Sequence, residues 1–110
     1  MKPAIYNLEI EQGARYERIL KVIQGLESID GYTARLQIRQ NPGGKIFWDS
    51  NNLQPGDEFV VDEGEKSFHI KLAPATTAKF KFSTAYFDLD VNEDRWIKGR
   101  VILNKEITRG

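Results

Sequence analysis

The 110-residue sequence contains no cysteine. Disulfide bonds and thiolate metal ligands are therefore excluded, and this composition fits assembly in a cytosol. The only histidine is His69, so the side chains cannot build a nitrogen or sulfur cluster for zinc. The serines lack the glycines of a nucleophile elbow, and no glycine-rich loop suits a phosphate. We predict a protein that is not an enzyme and has no catalytic, metal-binding or cofactor-binding residue.

An excess of one charge is also missing, because sixteen basic and sixteen acidic residues cancel. A chain without net charge has no long-range attraction for nucleic acid or anionic lipid. Near the N-terminus, Pro3, Asn7 and Glu9 interrupt any apolar run before it reaches the length of a signal peptide or membrane span. We therefore expect neither nucleic acid nor a membrane among the partners.

Short segments with alternating apolar and polar residues dominate the sequence, and residues 86–91 organise the rest. Period-two alternation is typical of a strand with one buried side, and we predict that residues 86–91 form the central strand of a small β-sandwich. The same reasoning predicts eight buried core residues: Leu36, Ile38, Ile70, Leu72, Phe87, Leu89, Val101 and Leu103.

Seven or eight short strands separated by turns are typical of an antiparallel sandwich or barrel in one domain, residues 1–110. They are predicted over residues 4–10, 14–22, 32–39, 45–49, 58–62, 67–72, 86–91 and 96–107. A helix is the rival for residues 14–22, but Gly13 and Gly25 bracket a segment that is short for one. Its phase changes near Ile19, which indicates a bulge or a strand buried on both sides. We also predict one helical turn at residues 75–79 and an irregular, mobile loop at 41–57.

Acidic side chains at alternate positions resemble the opening of a calcium-binding loop, at Asp88, Asp90, Asn92 and Asp94. An EF-hand requires a glycine at position six and a bidentate glutamate at position twelve. Here these positions hold Glu93 and Gly99. The pattern therefore favours a polar strand face that runs into a solvated turn, with a weak cation site as the alternative.

Two further groups of side chains leave alternatives open. Arg35 and Arg39 would face the aspartates of residues 86–91 if the two strands pair, which would stabilise the sheet internally; the alternative is an arginine patch for an external ligand. Trp48 and Trp96 lie beside turns. Each is either a core residue or an aromatic anchor of an interface.

Several segments, in this order along the chain, resemble the small immunoglobulin-like domain of tailed bacteriophages. This domain occurs as a stand-alone virion protein or as the N-terminal domain of baseplate upper proteins. The segments are Gly13-Ala14-Arg15-Tyr16, Gly31-Tyr32-Thr33-Ala34-Arg35-Leu36-Gln37-Ile38-Arg39, Ile70-Lys71-Leu72 with Thr76-Thr77-Ala78, Tyr86-Phe87-Asp88-Leu89, and Lys98-Gly99-Arg100-Val101 with Glu106-Ile107-Thr108-Arg109. The resemblance implies an all-β, immunoglobulin-like antiparallel sandwich in which Tyr86, Asp88 and Gly99 are sheet-forming residues.

The resemblance also implies a structural or assembly module of a phage or prophage virion, of tail or baseplate type. Such a protein would bind protein partners or itself, in the particle or in the host cytoplasm during assembly. The alternative is a host-encoded sandwich that binds carbohydrate or protein through the loop 41–57 and the tryptophans. We expect the last strand, residues 99–108, or its neighbour to supply the contact surface, since unpaired strand edges must be blunted or used. The candidate interface residues are Tyr86, Ile102, Arg100, Trp48 and Trp96.

Calcium should leave the stability of the protein unchanged, because the twelve-residue pattern fails at Glu93 and Gly99. The measurement is the melting temperature with millimolar calcium and again with chelator. A rise of several degrees that the chelator reverses would show that the aspartates bind the ion.

Overall fold

The computed structural model describes residues 3–21 and 31–105, and within these ranges it has nine strands and one short helix. The elements are β1 Ala4–Ile5, β2 Leu8–Glu11, β3 Tyr16–Lys21, β4 Ala34–Arg39, β5 Ile46–Asp49, β6 Glu58–Asp62, β7 Ser67–Leu72, α1 Pro74–Ala78, β8 Thr84–Val91 and β9 Asp94–Asn104. Residue 22 of the second predicted strand and residues 106–107 of the last lie outside the described residues.

The strands form two sheets packed as a sandwich. The larger sheet has the order β1-β9-β8-β4-β5, with β2 also paired to β9, and the smaller has the order β3-β7-β6. The predicted all-β sandwich is therefore confirmed. Its described part has nine strands instead of seven or eight, because the first predicted strand is divided.

The N-terminal strands pair in parallel with β9, which differs from the purely antiparallel sheet that the sequence predicts. Residues 4–10 do not form one strand, since β1 ends at Ile5 and β2 begins at Leu8. Between them the chain passes very close to Gly99, where a Cβ atom would lie 1.5 Å from the Tyr6 carbonyl oxygen. Gly99 is therefore required for this approach, a constraint more specific than the sheet-forming role expected of it.

The alternating pattern also determines which side chains form the core. All eight predicted core residues are buried, with at most 5% of their surface exposed. Phe87 from the larger sheet and Phe68 from the smaller are the bulkiest fully buried side chains among the described residues. Burying a side chain of this kind contributes about 1.5–3 kcal/mol, so the contact between the two inner faces supplies most of the stability.

The segment after Gly13 is a strand, as predicted over the rival helix, and it pairs with β7 alone. The predicted bulge or two-sided burial near Ile19 is wrong. Ile19 is 52% exposed while Leu20 is buried, because β3 belongs to a sheet whose other face is open to solvent. The predicted helical turn is present as α1.

Replacing Gly99 by alanine should destabilise the protein by about 1–3 kcal/mol or more, because the added methyl group collides with the Tyr6 carbonyl. Urea unfolding measures the change. Gly64→Ala is the matched control, since its Cβ would meet nothing closer than 3.7 Å. Equal stability of the two variants would contradict the role given to Gly99.

Candidate functional site

The outward face of β4, β8 and β9 carries a dense array of charged side chains around Tyr86. Strand β8 lies between β4 and β9, and the registers of both pairs place their outward residues in common rows. The three rows are Arg39–Tyr86–Arg100, Gln37–Asp88–Lys98 and Arg35–Asp90–Arg95. These side chains stand on hydrogen-bonded strands, so the backbone holds their spacing.

One end of this face is internally ion-paired, but not through the predicted partners. Arg35 does lie opposite Asp90, yet its Nε donates to Asp49 Oδ1 at 3.1 Å on the other neighbouring strand, β5. This hydrogen bond, helped by donors from Asn51 and Gln37, lowers the pKa of Asp49 to about 2 although burial opposes the shift. The predicted pairing of the strands is therefore correct. Arg35 and Arg39 do attract Asp88 across the strands, but the contacting ion partner of Arg35 is Asp49 and not an aspartate of β8.

The aspartates of β8 are paired with Arg95 of β9 instead. Arg95 Nε lies 3.0 Å from Asp90 Oδ1, and Arg95 Nη2 lies 3.6 Å from Asp88 Oδ2. A register shift between Leu89 and Asp90 brings Arg95 opposite Asp90. Burial raises the pKa of Asp88, and the positive charge of Arg95 offsets this only in part. These contacts occupy Asp88 and Asp90, two of the three aspartates that resembled a calcium loop.

The other end of the face contains a cleft of about 410 Å³. Tyr86 is half-buried and lines the cleft, with Arg39 and Arg100 opposite it on the two neighbouring strands. The Arg100 guanidinium carbon lies 6.0 Å from the centre of the Tyr86 ring, within the range of a cation–π contact. Lys98 and the exposed Ile5 line it on the side of β1, and the ion-paired Asp88 and Arg95 also line it. The cleft thus combines donors, positive charge and apolar surface.

Three of the five candidate interface residues lie together on this face. Tyr86 and Arg100 line the cleft, and Ile102 follows two residues later on the same side of β9, 40% exposed. The expectation that β9 offers a free edge is wrong, since β8 pairs along one side of it and β1 and β2 along the other. Its outward face, not its edge, is open to a partner.

The two tryptophans do not belong to this surface. Trp48 is 4% exposed and Trp96 is 8% exposed. Trp96 packs edge-on against Phe68 and Tyr32, with ring centres 6.3 and 5.7 Å away. Of the two alternatives left by the sequence, the structure shows the core position for both, and this corrects their inclusion among the surface candidates.

A buried carboxylate, Asp57, anchors the loop 41–57, which the sequence predicts to be irregular and mobile. Its Oδ2 accepts hydrogen bonds from Trp48 Nε1 at 3.0 Å and the Gln54 amide at 3.1 Å. Its Oδ1 accepts from the Ala73 amide and the Thr76 hydroxyl, both at 2.8 Å. Burial alone would raise the pKa of Asp57, but these four donors outweigh it and lower the pKa. The sequence offers no signal for this role beyond an aspartate after a Pro-Gly turn.

The surroundings of His69 resemble a catalytic relay only in composition. Ser67 Oγ lies 3.1 Å from His69 Nε2, and Asp62 Oδ2 lies 3.7 Å from the same nitrogen. A relay requires the nucleophile and the carboxylate on opposite ring nitrogens.

Across residues 3–21 and 31–105 we find no group of three or more acidic or histidine side chains placed to hold a metal. No helix in these ranges has the length and apolar character to cross a membrane.

Replacing Asp57 by asparagine should cost about 2–3 kcal/mol at neutral pH, because an amide cannot accept all four hydrogen bonds. Since folding lowers the pKa of Asp57, its contribution is present above the unfolded pKa and is lost as the pH falls through the folded value. Urea unfolding between pH 7 and pH 3 should show the gap between wild type and variant narrowing in acid. The exposed Asp94→Asn is the control; a gap that stays constant with pH would contradict the assignment.

No protein-family model matches the chain, and no curated protein matches it significantly.

Proposed function

We propose that this chain is a non-enzymatic structural or assembly module of a phage or prophage virion, of tail or baseplate type. It binds a protein partner through the outward face of its larger sheet. The observation that carries the proposal is the cleft around Tyr86, flanked by Arg39 and Arg100 and bordered by exposed Ile5 and Ile102. Tyrosine and arginine are enriched among the residues that dominate protein interfaces.

The rigidity of the face supports a role in assembly. Both strands that carry Tyr86 and Arg100 are paired along each side within the larger sheet, and the fully buried Phe87 and Val101 hold them against the core. A surface whose side chains are already ordered loses little conformational entropy on binding. The same face therefore suits repeated, identical contacts in a particle.

The virion setting is supported by the resemblance of segments such as residues 31–39 and 98–101 to phage immunoglobulin-like domains. The fold itself serves many functions, so the fold alone does not distinguish a virion protein from a host-encoded one. The alternative, a host-encoded module for carbohydrate, depended on exposed tryptophan rings for stacking. Trp48 and Trp96 are buried, which favours a protein over a sugar as the partner.

Tyr86→Ala and Ile102→Lys should reduce binding to the partner without unfolding the domain, because both side chains lie at least partly on the surface. A tyrosine at the centre of an interface typically contributes about 2 kcal/mol or more, roughly a 30-fold change in affinity. We would measure oligomeric mass by light scattering and incorporation into particles after complementation of a phage lacking the gene.

Val60→Lys is the matched control for these variants, since Val60 is 51% exposed on the opposite sheet. If Tyr86→Ala and Ile102→Lys are incorporated as well as this control and leave the oligomeric mass unchanged, the interface lies elsewhere. Capture of a host protein with no incorporation into particles would favour the host-encoded alternative.

A further inference from the structure

The basic side chains on the outward face of the larger sheet fall into two groups. Arg35 and Arg95 are held in ion pairs with the aspartates of β5 and β8. Arg39, Lys98 and Arg100 form no ion pair within residues 3–21 and 31–105. Arg39 is attracted by Asp88 only from beyond ion-pair distance. Among the described residues, positive charge without a contacting carboxylate is therefore concentrated around the cleft.

The two guanidinium groups that lack an ion pair are also oriented. Arg39 donates to Gln37 Oε1 and to the Gly44 carbonyl, which fixes its plane while other donors of the group remain unused. Arg100 packs on the Tyr86 ring. Each guanidinium can bind a carboxylate through two parallel hydrogen bonds, an arrangement that adds both affinity and geometric selectivity.

The spacing of these groups matches an extended peptide. Arg39 and Arg100 lie on the strands on either side of Tyr86, so their backbones are separated by two interstrand spacings, roughly 10 Å. Side chains at positions i and i+2 of an extended chain point the same way about 7 Å apart, within reach of two long arginines. The exposed Ile5 offers an apolar contact beside them, whereas Arg100 already covers the Tyr86 ring against which a sugar would stack.

We infer that this cleft binds an extended acidic segment of a protein partner, with two carboxylates on Arg39 and Arg100 and an apolar side chain against Ile5. This inference rests on the proposed function in taking a protein as the partner, and it adds the chemistry of the segment recognised. Although the whole chain has no net charge, the Asp88 carboxylate that lines the cleft is ion-paired with Arg95. The charge left to face the segment is therefore positive, and the attraction is local and sensitive to salt.

The test uses the full chain labelled with ¹⁵N and a short capped peptide in which glutamates alternate with valine and leucine. Titration should shift the backbone amide signals of Tyr86, Gly99 and Arg100. The matched peptide with glutamine in place of glutamate should bind at least tenfold more weakly, and so should Arg39→Gln and Arg100→Gln, tested singly and together. Arg15→Gln, an exposed arginine outside this face, should bind as the wild type does.

Four outcomes would overturn the inference: no shifts at millimolar peptide, equal binding of the glutamine peptide, equal saturation by acetate or inorganic phosphate at the same concentration, or shifts that follow protein concentration without peptide. The third would indicate a small-anion site and the fourth self-association. If the peptide does not bind while Tyr86→Ala still lowers incorporation into particles, the proposed function is supported. The inference that the partner segment is acidic would then be wrong.

Discussion

The pairing of β8 on both sides is the constraint on which the rest of the domain depends. Because β8 lies between β4 and β9, its alternation determines the orientation of both neighbours. Phe87, Leu89 and Val91 then fall into the core, and their outward neighbours form the charged rows of the opposite face. One period-two pattern therefore produces the stability of the sandwich and the surface that we propose for binding.

Much of this can be predicted because alternation is a local property of the sequence. A strand with one buried face must repeat every two residues, so Leu36, Ile70 and Leu103 are identifiable as core residues from the alternation alone. The partner of Arg35 cannot be predicted in this way, because it depends on which strand lies on the far side of β4. The close approach of Tyr6 to Gly99 is equally hidden, since it joins positions at opposite ends of the described chain.

The candidate site is predictable in its chemistry and only partly in its members. Tyrosine, arginine and an exposed isoleucine on polar strand faces indicate an interface, and their common face follows from the registers of β4, β8 and β9. The tryptophans fail as surface anchors because a position next to a turn does not determine burial. Trp48 lies in the core with its ring nitrogen bonded to Asp57, a contact that depends on how the loop folds back. A formal charge of zero likewise does not reveal that, on one face, some basic side chains contact a carboxylate and others do not.

The parallel pairing of the first strands with β9 has a consequence for synthesis on the ribosome. Asn7 and Arg100, which hydrogen bond across this pair, are 93 residues apart in sequence. At typical elongation rates β1 and β2 wait roughly 5–20 s for their partner to be made. During that interval the backbone hydrogen-bonding groups of β1 and β2 have no native partner. Without β9, these two strands cannot join the rest of the larger sheet. The sandwich is therefore closed late, by the arrival of β9 between the oldest part of the chain and β8.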